Sequence, residues 1–371
     1  MKHIRNRKGF ILAVFLLVTM FMGGMTVKAA EYTVSVADGV LYTGNGAEVF
    51  AKPDAATLMT TLPGDLPVLV TGVTNNGYFQ VRINDSVCYM YGKALSATTG
   101  TQAYKLTSVD AKAALVGDAN SGNLVYAQNA NTKLAPASTT KIMTVLLVME
   151  AIASKQIALD TQVVVSPTAL AGIPSDASHV KPHLQAGEVM NVLTLLQCVM
   201  LESDCHACNV LAELVAGSVD QFVVMMNTKA KALGCTDTNF VNTSGYPQEN
   251  HYTNAYSLFL ITKEAMKYPV FENIIAMNAA VIPATNLSPV RTLTTTNALI
   301  KATEYYNPYV IGGKTGTASS SGSCLVSIAR KDQKTIISVV LGASTNIMSD
   351  GTRQKQQFAE TNKLISIGLA G

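Results

Sequence analysis

The sequence predicts an α+β protein: an antiparallel sheet drawn from both ends of one domain, a helical lobe inserted between them, and a small all-β module in front. Three observations carry this expectation. Short apolar runs punctuated by turn residues fill about residues 31–98, strand-like segments recur near 115–126 and again at 310–342, and the stretch of about 185–270 is rich in Leu and Met at helical spacing. With 371 residues, 48% hydrophobic and only 14% charged, the chain is long enough for one large core and a small one.

The first element is a leader. Lys2, Arg5, Arg7 and Lys8 precede an apolar run from Phe10 to about Met22, and Val27-Lys28-Ala29 supplies small residues, the pattern of a secretory signal cleaved after Ala29 or Ala30. An uncleaved anchor is the alternative, but the run is shorter than the roughly 20 residues a spanning helix needs and is broken by Gly23 and Gly24. No later apolar stretch reaches spanning length uninterrupted, so an exported protein, extracellular or associated with the cell wall and without a transmembrane anchor after signal removal, is expected. The expected segments are 1–29 (signal), 31–100 (all-β module) and 101–371 (the larger domain).

Within the module, Tyr32–Val36, Val68-Leu69-Val70 and Tyr78–Arg82 read as strands, and Pro53-Asp54, Pro63-Gly64-Asp65 and Asn75-Asn76-Gly77 as turns. The order Gly77-Tyr78-Phe79-Gln80-Val81 followed by Tyr89-Met90-Tyr91-Gly92 resembles a bacterial SH3-like domain. That resemblance implies binding of cell-wall peptide; a plain spacer is the competing reading. Farther on, Leu115–Asp118 and Leu124–Tyr126 flank Asn120-Ser121-Gly122-Asn123, a hairpin signal. Pro136 opens a helix expected from Ser138 to Met149, apolar nearly all round, as in a helix at the centre of a domain. Strands are expected again near 310–314, 323–329 and 335–342, and a last helix from about Arg353 to Ile367.

Charge and cysteines exclude other classes. Removing residues 1–29 takes away five Lys/Arg and no Asp/Glu, which moves the formal charge from +3 to −2. A near-neutral chain with no basic patch interleaved with aromatics is not expected to bind nucleic acid. The six cysteines (Cys88, Cys198, Cys205, Cys208, Cys235, Cys324) show no framework spacing and read as buried fillers. Cys205-His206-Ala207-Cys208 has the look of a zinc or redox half-site, but no second Cys/His pair at ligand spacing accompanies it, so no metal and no cofactor are expected.

Three motifs occur in order: Ser138-Thr139-Thr140-Lys141, Ser203-Asp204-Cys205 and Lys314-Thr315-Gly316, with first residues 65 and 111 positions apart. Each alone is weak, since a serine three residues before a lysine is commonly a helix cap beside a solvated amine. Their surroundings add weight: Ala135–Thr144, Ile311–Thr317, Phe240–Pro247 and Asn250–Thr253 together resemble the D-alanyl-D-alanine carboxypeptidases, low-molecular-mass penicillin-binding proteins, over about residues 106–370. The resemblance implies a β-lactamase/transpeptidase-like fold and a serine enzyme that removes the terminal D-alanine from peptidoglycan pentapeptide stems, with β-lactam antibiotics as covalent inhibitors. The C-terminal β-rich domain and amphipathic anchor of many members are not expected, since the sequence ends at Gly371.

The same resemblance implies the roles. Ser138 is the nucleophile, and Lys141, one helical step of three away, is its base. A free lysine with a pKa of about 10.4 would stay protonated; burial and the charge of Lys314 are expected to disfavour the charged form. Ser203 passes a proton toward the leaving amine. Lys314, Thr315 and Gly316 form an edge strand that pairs with extended substrate, Thr315 meeting its terminal carboxylate, and the N–H groups of Ser138 and Thr317 hold the oxyanion. Cys205 stands where asparagine is usual, and a thiol donates and accepts hydrogen bonds poorly; Asn209, one turn on, is a partial substitute. Two rivals stay open: a β-lactamase, for which no Glu-x-x-Leu-Asn loop occurs between Ala212 and Lys314, and a catalytically silent wall-binding protein of the same fold. Endopeptidase and transpeptidase chemistry would use the same residues.

Overall fold

The computed structural model describes residues 32, 34–43, 47–62, 67–83, 86–96, 109–347 and 353–369. The expected signal, its cleavage site and the Pro63-Gly64-Asp65 turn lie outside them. The chain divides into two compact units.

The first unit is a single antiparallel sheet of β1 (Val34–Thr43), β2 (Ala47–Phe50), β3 (Leu58–Leu62), β4 (Pro67–Thr74), β5 (Tyr78–Ile83), β6 (Ser86–Tyr91) and β7 (Leu95–Ser96), in the order β3-β2-β6-β5-β4-β1-β7. Its core is aromatic. Phe50, Tyr78 and Tyr89 are buried, and Phe50 meets Tyr78 edge to face with centroids 5.4 Å apart. The Asn75-Asn76-Gly77 turn forms as expected: Thr74 Oγ1 accepts from the Tyr78 N–H at 2.9 Å and closes the β4–β5 hairpin.

The second unit is built on β8 (Ala113–Asp118), β9 (Leu124–Gln128), β14 (Val310–Ala318), β15 (Gly322–Lys331) and β16 (Lys334–Ala343), ordered β14-β15-β16-β8-β9. The 120–123 turn joins β8 to β9 as expected. β15 and β16 are buried on both faces, which is why they read as nearly continuous apolar runs and not as alternating ones. β14 lies at the edge of the sheet. Three short pairs were not expected: β10 (Gln162–Val164) with β11 (Val189–Asn191), β12 (Ala279–Ile282) with β13 (Arg291–Thr294), and β17 (Thr345–Ile347) with β18 (Arg353–Lys355). Strands of three or four residues carry too few residues to show a period.

The helices are α1 (Lys141–Ala153), α2 (Pro167–Leu170), α3 (Val192–Leu201), α4 (Cys205–Ala216), α5 (Val219–Ala232), α6 (Ala255–Ala265), α7 (Pro269–Ile275) and α8 (Gln356–Leu369). Asn191, Asp204, Ser218 and Asn254 cap α3 to α6, each side chain accepting from a first-turn N–H. These caps also break the expected 185–270 helical stretch into separate helices, with irregular chain over 233–254. α1 touches α3, α4, α5, α6 and α7 and is buried over most of its surface, so its lack of a polar face follows from its central position. α6 and α8 pack on β16. Two expected boundaries are corrected. The segment Ala137–Thr140 is a 3-10 turn that feeds α1 at Lys141, and the last helix begins at Gln356 because Arg353–Lys355 pairs as β18. Among the described residues no single helix is long and apolar enough to cross a membrane.

Candidate active site

The site begins at the 3-10 turn. Side chains three apart eclipse one another in such a turn, which leaves Ser138 Oγ and Lys141 Nζ 3.0 Å apart. Lys141 is fully buried and Ser138 half-buried. The amine is held on two further sides: Lys141 Nζ donates to the Ser244 carbonyl at 2.7 Å and lies 3.6 Å from Cys205 Sγ. One side chain thus ties the first motif to the second and to the 240–246 segment.

The second motif is the turn between α3 and α4. Ser203 adopts a left-handed backbone (φ 64°), an uncommon state for a residue with a Cβ and one that concentrates at functional sites. Its Oγ is shielded from solvent with no hydrogen-bond partner among the described residues. Asp204, fully buried, holds the turn: Oδ1 accepts from the Ala207 N–H at 2.7 Å and Oδ2 from the Val180 N–H at 2.6 Å. Cys205 Sγ packs 3.8 Å from the Ser203 carbonyl.

The third motif is on β14. A Cβ on Gly316 would sit 2.9 Å from the Ser138 nitrogen, so only glycine lets this edge strand pass Ser138 so closely. Gly245 serves the opposite side. Its φ of +78° and the 1.9 Å that a Cβ would leave to the Ala137 carbonyl both require glycine. Thr315 is half-buried, with Oγ1 2.5 Å from Thr296 Oγ1, and Thr317 is exposed. Lys314 is buried and donates to the Thr315 carbonyl at 2.9 Å. Burial first, and then the charge of Lys141, drive the Lys314 amine down to about 7. The structure thus brings Ser138, Lys141 and Cys205 into contact and passes Gly316 beside Ser138, while Ser203 lies in the same turn as Cys205 and Lys314, Thr315 and Thr317 lie on the same strand as Gly316.

Asn209 does not substitute for Cys205. Its amide is committed, donating to the Ala169 carbonyl at 3.1 Å and accepting from Thr243 Oγ1 at 2.7 Å. Two contributors escaped the sequence reading although the segments carrying them stood out: the Ser244 carbonyl, and His251. Burial lowers the His251 pKa to about 4, with the Lys141 charge adding to the effect. Its Nδ1 accepts from the Val241 N–H at 3.2 Å, which leaves Nε2 as the protonated nitrogen facing Thr140 Oγ1 at 2.9 Å. The imidazole thereby braces the turn that carries Ser138. A cavity of 380 Å³ is lined by Ala137, Gly245, Glu249, His251 and Ser320 among others, with Ser138 outside its lining.

An amine hydrogen-bonded to a hydroxyl, a second hydroxyl on a strained turn and an exposed sheet edge can together carry out acyl transfer through a covalent serine ester. Comparisons with known proteins agree. The profile of the D-alanyl-D-alanine carboxypeptidase family matches residues 97–345. The chain is 34% identical over 261 residues to the D-alanyl-D-alanine carboxypeptidase DacF of Bacillus subtilis (strain 168), covering 70% of this chain and 62% of that one. It is 33% identical over 290 residues to the D-alanyl-D-alanine carboxypeptidase of Streptomyces sp. (strain K15), covering 74% and 92%. The crystal structure of the Streptomyces K15 DD-transpeptidase superposes with a TM-score of 0.63 at 27% identity, over 71% of this chain and 99% of that one. Solved variants of that enzyme replace a serine by alanine and, two positions on, a cysteine by asparagine. The chain spans less than two thirds of the length of DacF.

Proposed function

The chain belongs to the D-alanyl-D-alanine carboxypeptidase family, and from that premise we propose that it is a serine D,D-carboxypeptidase that removes the terminal D-alanine from peptidoglycan pentapeptide stems. The 3.0 Å contact between Lys141 Nζ and Ser138 Oγ carries the reading. Lys141 takes the proton of Ser138 while Oγ attacks the carbonyl of the scissile D-alanyl-D-alanine bond. The oxyanion forms against the N–H groups of Ser138 and Thr317, donors of a kind worth about 3 kcal/mol each. The edge position of β14 supports pairing with an extended stem peptide. Lys314, in its charged form, and Thr315 receive the terminal carboxylate. Ser203 relays the proton to the departing D-alanine amine, and water then hydrolyses the acyl-enzyme. A β-lactam acylates the same serine and is trapped because its second step is slow. Export by the 1–29 signal brings the enzyme to the wall, and the sheet at 34–96 acts as an SH3-like module binding wall peptide.

One observation favours a second reading. The Streptomyces K15 enzyme, described as a DD-transpeptidase, carries a serine and a cysteine at the same two-residue spacing as Ser203 and Cys205. On that reading the acyl group passes to an amine of a second stem peptide.

Exposure to a labelled penicillin followed by peptide mapping tests the site. The adduct is expected on Ser138 alone, and Lys141→Arg, which stays protonated, is expected to abolish it without unfolding the protein. An adduct on another residue, or none, would overturn the assignment. Free D-alanine released from a diacyl pentapeptide, with and without an added acceptor amine, separates hydrolysis from transfer.

A further inference from the structure

The second motif faces a cluster that the proposed reaction does not use. His206, in the first turn of α4, stacks on His179 with ring centroids 4.1 Å apart and planes at 28°. A ring nitrogen of each histidine and a carboxylate oxygen of Asp204 lie within 4.8 Å of one another. The Nδ1 atoms of both His179 and His206 are shielded from solvent and have no hydrogen-bond partner among the described residues. A shielded imidazole nitrogen without a partner loses its hydration for nothing in return. Two histidines with such nitrogens, stacked beside a buried carboxylate, form a donor set without a bound partner.

We propose that His179, His206 and Asp204 form a binding site for a divalent ion of the zinc class, set against the back of the Ser203–Cys205 turn. Two imidazole nitrogens and one carboxylate oxygen suit zinc and its borderline neighbours, and three protein donors leave a position for water. Bonds of about 2.0–2.1 Å at tetrahedral angles need donors about 3.4 Å apart, so a pair at the 4.8 Å limit closes by at most about 1.4 Å. His179 is only partly buried, on a segment between β10 and β11, and rotation of its ring supplies that movement. Asp204 is already oriented. The backbone N–H groups of Ala207 and Val180 each occupy one lone pair of an oxygen, leaving others free, and such outer hydrogen bonds normally fix a ligating carboxylate. The sequence hid this site because the Cys205–Cys208 half-site suggested thiolate ligands, and both thiols point elsewhere: Cys205 Sγ toward Lys141, and Cys208 Sγ, fully buried, toward the Asp204 carbonyl at 3.2 Å. A bound ion would clip the 178–183 segment, which already accepts the Cys205 N–H through the Ser178 carbonyl at 2.9 Å, to the turn that presents Ser203.

Titration of the chelator-treated full chain with Zn²⁺ by calorimetry, and its cobalt spectrum, test the proposal. One equivalent is expected to bind and to raise Tm by several degrees. His179→Gln and His206→Gln are each expected to weaken binding at least tenfold while keeping the helical circular dichroism of the parent. The Co²⁺ form is expected to show ligand-field bands without an intense thiolate charge-transfer band. No saturable binding, binding unchanged in both histidine variants, or a thiolate band would each overturn it.

Discussion

At the scale of single residues the catalytic turn shows how little freedom a site needs once a few atoms are placed. Lys141 reaches Ser138, Ser244 and Cys205 from one buried position. Cys205 stands where asparagine was expected, as a cysteine does at the same spacing in the Streptomyces K15 enzyme, and its thiol is a weak partner for a substrate amide. Cys205→Asn restores a group that both donates and accepts. One recovered neutral hydrogen bond is worth about 0.5–1.5 kcal/mol, which makes a two- to twelvefold rise in kcat/KM for D-alanine release the expected outcome. A fall would show that the pocket is shaped around sulfur, where Sγ is only 3% exposed with its residue, and would favour transfer to an amine. Lys314 gives a second residue-scale expectation. With its amine at about 7, the positive charge offered to the substrate carboxylate fades above neutral pH, so the basic limb of kcat/KM falls there. In Lys314→Arg that limb moves upward, because a guanidinium does not titrate in this range. A pH profile identical in the two proteins would assign the limb to another group.

At the scale of elements, the wall behind Ser203 depends on an ion pair far from the chemistry. Arg291 on β13 and Glu188 just before β11 are both fully buried and meet through two bonds, 2.7 and 3.0 Å. Arg291 also donates to the Pro182 carbonyl at 2.8 Å, and Thr285 Oγ1 and the Gln185 N–H donate to the carboxylate. These bonds join the β12–β13 pair to the 182–188 segment, continuous with Val180, whose N–H holds Asp204. Glu188→Ala strands a buried guanidinium and is expected to cost about 3–5 kcal/mol, whereas the double change Glu188→Leu with Arg291→Met removes both charges and costs far less. Urea midpoints measure both. A single variant within about 1 kcal/mol of the parent would show that the pair is not a clamp. The short strands that make this clamp were invisible in the sequence, because the pairing partners of β12 and β13 are chosen by the lobe they cover and not by any periodicity of their own.

For the molecule as a whole, the buried titratable groups set the direction in which pH moves stability. His251 has its pKa lowered to about 4 from 6.5, so its contribution is complete above 6.5 and is lost as pH falls toward 4, about 2 kcal/mol by pH 5. Burial opposes the charge on Glu188, but hydrogen bonds from Arg291, Thr285 and the Gln185 N–H outweigh it and hold its pKa below the ordinary carboxylate value, so its contribution too is lost on acidification. Lys314, lowered to about 7 from 10.5, binds its proton more weakly folded than unfolded. Stability is therefore expected to rise between pH 7 and 9, by about 2 kcal/mol. Denaturation curves at pH 5, 7 and 9 check both limbs. His251→Gln should flatten the acid limb and Lys314→Gln the alkaline rise; curves of parent shape in these variants would place the titration elsewhere.

What the sequence determined by itself was what short-range chemistry can write: the five strands of the main sheet, the all-apolar central helix, the three motifs and their order, and the family they resemble. Glycine at 316 and serine three positions before lysine are local requirements, and local requirements are legible. Three things were decided only in the tertiary structure. The Asn209 amide went to Ala169 and Thr243, because α4 packs against the segments that carry them. His251 became the brace of Thr140 across 111 positions of sequence, and His179 was laid on His206. Each of these depends on which buried polar atoms the fold leaves facing one another. Desolvation penalises every polar atom buried without a partner, so the packing of whole segments selects the partners, and no spacing along the chain records that choice.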